Sequence, residues 1–437
     1  MPLPLVGRLR HTATLPRVDD VDAAVRLAWR NSATARRIRP GMSIAIAAGS
    51  RGIANHATLV KATVEAVKAL GANPFIVAAM GSHGGGTADG QRTILSDAGI
   101  SEATMGVPVR TEMDAEQIGV NTFGRPVWWD RNALAADGVI TVGRVKPHTD
   151  FRGRYESGIV KMMVVGLGKR VGADAMHALG VAGLRDIMPT SAEVVLAKTR
   201  YLGGLATLEN AREETARVEV VDRDDVLTRE PDLLAEARGL LGRMPFPSLD
   251  VLVVGEVGKN FSGSGMDPNV VGRFLVESRP DLETNDPCIT RIAALDLSPE
   301  SHGNGVGVGI ADVVTNRLLD TIDDTVTRLN VMTARSLWRA KKPFGFPSDR
   351  ACIEAAIATT WQPDSNALTF AVIPNSLEVA ELWASKAAVE MVASHSDWQH
   401  DGTWIELPFT GDTLDQVTLF PHCKRARRQS TAAALHT

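Results

Sequence analysis

The stretch SIAIAAGSRGIANHATLVKATVEAVKALGANPFIVAAM (43–80) decides how the chain reads. SIAIAA is a short apolar run that ends in the glycine-rich turn GSRG, as a buried strand feeding a loop does. Asn55 stands where a helix cap belongs, and Val60, Val64 and Val67 share one face of a helix over 57–70, which Gly71 ends. PFIVAAM (74–80) is a second buried strand. Strand, helix and strand in this order predict parallel pairing and an α/β fold.

Working outward, the second strand opens into GSHGGGT, where Thr87 can cap a helix reaching about Ala98. His83 therefore lies in the first loop after a strand. GVITVG (138–143) leads in the same way into Arg144 and Lys146-Pro147-His148, and Arg51 follows the 43–48 strand. Loops at the carboxyl edge of an open parallel sheet are where ligands bind. A helix is expected over 19–30, and MMVVGLGKRVGADAMHALG runs into a helix ending near Gly180, with His177 in its last turns. Near-helical segments are expected at 189–206, a strand at RVEVV (217–221), and a helix over 231–242 with Leu233, Leu234 and Ala237 on its apolar face.

The prolines of MPFPS (244–248), just before the fresh strand DVLVVGEV (250–257), mark a domain boundary. Strands near 289–296, 368–373 and 403–407 and helices near 308–320, 323–338, 348–360 and 376–393 repeat the α/β rhythm. The expectation is two α/β domains with mostly parallel sheets and a cleft between them, 1–245 and 246–423. The polar, basic tail 424–437 reads as disordered.

A length of 437 residues exceeds one ordinary core, and 44% hydrophobic with 22% charged residues is a soluble globular composition. Cys288, Cys352 and Cys423 form no C-x-x-C pair, the usage of a reducing cytoplasm. No run of about 18 apolar residues calls for a membrane, and a net charge of −4 gives no support to nucleic-acid binding. A cytoplasmic location is expected.

From Arg144 to Arg170 seven basic residues face two acids, Asp150 and Glu156, which suggests a bound phosphate or carboxylate, or else a solvated basic face. GNGVGVG (303–309) lacks the Gly-Lys-Ser/Thr of a P-loop, and no G-x-G-x-x-G follows the first strand, so neither a nucleotide hydrolase nor an ordinary NAD dehydrogenase is indicated. That glycine run reads as a tight turn. His11, His56, His395 and His400 read as surface. His83, His148 and His177 are the candidates for a shared site. They could hold zinc for hydrolysis or lyase chemistry, or one could ligate a metal while the other two exchange protons with a substrate. Lys161, between Gly158-Ile159-Val160 and Met162-Met163, is either a desolvated amine or a snorkelling lysine.

GSHG, then KPH, then S-G-x-x-K, then a histidine closing a helix resembles the nickel-pincer lactate racemase family of 2-hydroxyacid racemases and epimerases, best over about residues 40–180. The resemblance implies a nickel-bearing pyridinium nucleotide tethered to Lys161, with Ser157 and Gly158 beside it and His177 completing the nickel coordination. It implies His83 and His148 as the proton-exchanging pair and Arg51 as a substrate contact. Lys259 and Arg273, in and beside FSGSGMDPNVVGR (261–273), are further carboxylate contacts. The implied reaction is hydride removal from C2 and its return to the other face through a transient 2-keto acid. The implied partners are a small 2-hydroxyacid, such as a sugar acid or dicarboxylic acid, and the enzymes that make the cofactor. The chain departs from the family at Ala48, where an acid is expected, at Ile159, where a second glycine is expected, and in a longer loop between His148 and Lys161. A cofactor-free sugar-acid binding protein on the same scaffold is the alternative from another class.

Overall fold

The computed structural model describes residues 2–435 apart from Arg51, Glu283 and Asn285. After an initial strand β1 (Val6–His11), the expected unit forms: β2 (Ser43–Ala48), a helix over His56–Ala69, and β3 (Asn73–Ala78). β2 and β3 pair in parallel from Ser43↔Asn73 to Ala48↔Ala78. Ala45 to Ala48 are wholly buried, because helices cover both faces of a parallel sheet. One detail differs. Asn55 is left-handed (φ 56°) and makes no side-chain cap; its amide donates instead to Thr215 Oγ1 at 2.9 Å. Thr87 does cap its helix, accepting from Gly90 N–H.

The chain continues through β4 (Val109–Arg110), the hairpin β5 (Ala115–Val120) and β6 (Pro126–Asp130), β7 (Gly138–Arg144), β8 (Tyr201–Glu209) and β9 (Thr215–Asp222). The main sheet has the order β4-β3-β2-β7-β8-β9, parallel except for β8 against β9. The chain steps from β2 outward to β3 and β4, then returns to the other side of β2 as β7. The carboxyl ends of β2 and β7 therefore flank a topological switch point. The helical expectation over 189–206 holds only to Lys198. Tyr201–Glu209 is a strand buried along its whole length between β7 and β9, so it shows no alternation, and Gly203-Gly204 weakens any helix there.

The second unit contains β10 (Ser248–Val257), β11 (Cys288–Leu297), β12 (Val313–Thr315), β13 (Phe344–Phe346), β14 (Phe370–Ile373), β15 (Glu381–Ser385) and β16 (Trp398–Ile405). Their order is β13-β12-β11-β10-β14-β15-β1-β16, with β13 to β14 parallel and the last three antiparallel. Because β1 is sandwiched between β15 and β16, the residues up to Thr14 cluster with the chain from Gly242 onward, and Leu15–Leu241 form the first unit. Strand partners so distant in sequence leave no local trace. Two expected helices also give way. Residues 381–385 pair with β14 and β1 rather than continuing a helix over 376–393, and 308–320 contains β12 before a helix over Asn316–Thr321 capped by Thr315.

The glycine run 303–309 packs backbone to backbone on the 262–266 loop: a Cβ at Gly307 (φ 105°) would collide with Ser264 O. The basic tail, expected to be disordered, contains a helix. Lys424–Leu435 is a helix whose Arg425 pairs with Glu256 (3.3 Å) and Asp296 (3.1 Å) and whose Arg428 pairs with Glu256 and Glu300. Acids at the carboxyl ends of β10 and β11 supply the countercharge that local composition does not reveal. Replacing both Arg425 and Arg428 with Ala strands the buried Glu256 carboxylate. Denaturant unfolding should then show a loss of about 3 kcal/mol; unchanged stability would mean that the tail helix does not neutralise it.

Candidate active site

The site is built on the segment from Ser157 to His177. Ile159–Lys161 is one helical turn that runs into a π-helical stretch over Met162–Gly166, closed by Leu167 N–H donating to Met162 O. Such widened turns recur where a helix must place a functional side chain. Three strand-end loops hold the segment. Met162 lies over Gly143, at the end of β7, and beside Gly49, after β2. The loop after β3 packs on the later part: a Cβ at Gly81 would lie 3.1 Å from Ala173 Cβ, and one at Gly86 only 2.7 Å from Arg170 Cδ. Lys169 anchors the middle, fully buried, with its ammonium 2.7 Å from Asp130 and donating to Ala78 O.

Two buried glutamates that the motif reading missed fix the amino-terminal part. Glu230 Oε2 accepts Val160 N–H at 2.8 Å, so a carboxylate from the helix over Val226–Leu240 caps the turn that carries Lys161. A Cβ at residue 158 would lie 2.6 Å from Glu230 Oε1, which explains Gly158 without a ligand. Burial pushes Glu230 up to about 7, opposed by the N–H groups of Val160 and Ile159. Glu156, also fully buried, organises the long loop between His148 and Lys161. It accepts His148 N–H (2.7 Å) and Gly153 N–H (3.0 Å) and pairs with Arg238 at 2.6 Å. Ser157 closes this loop by bridging backbone to backbone with Lys146.

His148 and Lys161 meet directly, Nε2 to Nζ at 2.6 Å. His148 Nδ1 accepts Asp150 N–H at 3.0 Å, so a neutral ring carries its proton on Nε2, and the hydrogen bond to Lys161 then requires a lone pair on Nζ. Burial lowers Lys161 to about 8, with Asp150 opposing and Lys146 assisting. His177 is lowered to about 4, chiefly by burial and then by the Lys161 charge, so it is a neutral imidazole at pH 7. The lysine is thus the desolvated amine rather than the snorkelling one.

His83 starts the Gly84–Gly86 turn and is exposed. Buried Gln91 donates to Gly81 O (2.8 Å) and His83 O (3.3 Å) and so shapes the His83 loop. β3 and β7 flank β2, so the strands leading to His83 and His148 are two spacings, roughly 10 Å, apart. Arg51 lies outside the described residues. Its loop is held by Arg144, which donates to Gly52 O and pairs with Glu209 at 2.6 Å, while Glu209 accepts Ala54 N–H. The basic island is therefore largely paired by acids outside 144–170, namely Glu209, Asp130 and Asp174. In the second unit, Arg273 is committed to Ile310 O, Ile289 O, Thr290 O and Asp312 (2.9 Å), and the Lys259 ammonium donates to Gly263 O. His56 is buried rather than on the surface, with neither ring nitrogen hydrogen-bonded. Among the described residues no three His, Cys, Asp or Glu side chains group as a metal site, so the three-histidine zinc reading has no donor set here.

Residues 7–185 match the lactate racemase N-terminal domain. Over these residues the chain is similar to lactate racemases. The fold is likewise shared with the lactate racemase apoprotein of Thermoanaerobacterium thermosaccharolyticum, at 12% identity and a TM-score of 0.51, over 86% of this chain and 99% of that one. No curated protein matches the sequence. The lactate racemase domain spans the loops of Arg51, His83 and His148, and Lys161 and His177 as well. Among the described residues no helix is long and apolar enough to cross a membrane.

Glu230 gives the arrangement a pH signature. A carboxyl raised from 4.5 to about 7 contributes its full stability below pH 4.5 and loses it as pH rises through 7. Thermal or denaturant melts of Glu230→Gln should therefore improve relative to the native protein between pH 4.5 and 7.5, by about 3 kcal/mol. A difference that does not change with pH would place Glu230 in water.

Proposed function

We propose that the protein is a 2-hydroxyacid racemase or epimerase that works with a nickel-pincer nucleotide attached to Lys161, with His177 as a nickel ligand. The observation that carries this reading is the Lys161 amine, lowered by burial to about 8 and 2.6 Å from His148 Nε2, in a lactate racemase domain. The residues present fit the group. Lys161 offers a nucleophilic nitrogen, and His177 a neutral imidazole, the form that binds metals. When bound, the nucleotide supplies a hydride acceptor.

The chain's own residues do the rest. Attachment of the group through Nζ would take that nitrogen out of its contact with His148, which would leave His148 Nε2 to a substrate hydroxyl. With Asp150 N–H on Nδ1, the neutral His148 ring carries its proton on Nε2, so in this state it offers the substrate oxygen a proton donor at that atom. His83, on its glycine-rich turn, is the second proton-exchanging group, so that a hydroxyl presented from either side meets one. Arg51 is the proposed carboxylate contact. Gln91 and Glu156 hold the two histidine loops in place.

The test is chiral chromatography over a panel of 2-hydroxyacids, including sugar acids and dicarboxylic acids, using protein co-produced with the cofactor's biosynthetic enzymes. At least one acid should be inverted with its C2 deuterium retained, and His83→Ala or His148→Ala should slow inversion by about 10²- to 10⁴-fold. Loss of the C2 deuterium to solvent, or no inversion by protein shown to carry the group, would contradict the proposal.

A further inference from the structure

The parallel sheet of the first unit also has an amino-terminal edge, and a groove of about 580 Å³ opens there. It lies at the starts of β2 and β3, beside β4 and the helix over Arg131–Ala135. Along β2, from Ser43 to Ala48, this is roughly 17 Å from the end that faces the Lys161 site. Its volume is that of a small-molecule pocket.

The lining pairs an apolar floor with cations. Phe75, Val107 and Pro108 supply much of the floor, Lys68 and Arg110 the charge, and no acidic residue is among the lining. Arg110 lies over the Phe75 ring at 4.2 Å, which fixes the plane of its guanidinium. That group has five donors, and among the described residues it makes no ion pair and one long hydrogen bond, 3.4 Å to Asn132 Oδ1. Lys68 is ion-paired to Glu65 at 3.3 Å and donates to Gly106 O at 3.4 Å. An oriented guanidinium with open donors, a second cation and an apolar floor form a receptor for a planar anionic head attached to a compact apolar body.

We propose that this groove is a second ligand site, separate from the Lys161 site, for a small organic anion bearing a carboxylate or phosphate. The proposal does not depend on the racemase reading. Benzoate and phenyl phosphate probe the two heads, and inorganic phosphate probes a head with no body. Calorimetric titration of the full-length protein should show at least one aromatic anion binding at about millimolar Kd or tighter, with inorganic phosphate at least about tenfold weaker. Arg110→Gln and Lys68→Met should each weaken binding by about tenfold. Ala135→Phe adds bulk to the groove while leaving both cations in the sequence, and should abolish binding even if an arginine variant folds poorly. Lys161→Ala should bind as the native protein does. The proposal is overturned if neither aromatic anion binds, if inorganic phosphate binds equally well, if Ala135→Phe binds normally, or if Lys161→Ala loses binding.

Discussion

Everything at the candidate site follows from keeping one lysine amine out of water. A solvated ammonium has no lone pair to offer, whereas a buried amine does, provided its surroundings tolerate the neutral form. Lys161 meets this condition because its helical turn is pinned from several directions. Glu230 caps the turn, Met162 rests over Gly143, and His148 presents a donor rather than an acceptor. The last point depends on a backbone N–H two residues away, which sets the histidine tautomer. That N–H is in turn placed by a loop organised around the buried Glu156.

The sheet explains why these parts converge. β2, β3 and β7 are adjacent and parallel, so the loops after them emerge on one edge, and the segment from Lys161 to His177 lies against all three. The lactate racemase match covers this arrangement and ends at residue 185, shortly after His177. The loop between His148 and Lys161, where the sequence departs from the family pattern, is not loose. It is tied to His148 itself and to Arg238 through a single carboxylate.

The α/β class, the parallel pairing of the first two strands and the placement of the three histidines were legible because strand, helix and loop each leave a local pattern. What was not legible was carried by distant partners. β1 joins strands more than 370 residues away, the tail helix finds its countercharges on β10 and β11, and Arg144 finds Glu209. Glu230 and Gln91 did leave a signal. Glu230 stands on the same helical stripe as Leu233, Leu234 and Ala237, and Gln91 on that of Leu95, and a polar residue in an apolar stripe marks a buried partner. The basic island misled for the opposite reason, because charges counted along the chain ignore the acids that fold against them.

Peptide-resolved mass spectrometry of protein co-produced with the cofactor's biosynthetic enzymes reads directly whether Lys161 carries the nucleotide. The expected result is an adduct of roughly several hundred daltons, a nucleotide's mass, on the peptide that contains Lys161. Bound nickel that is lost in His177→Ala is also expected, and no adduct in Lys161→Arg. An adduct on a different lysine, or an unmodified Lys161 while the same enzymes load a known lactate racemase in parallel, would contradict the proposed attachment to Lys161.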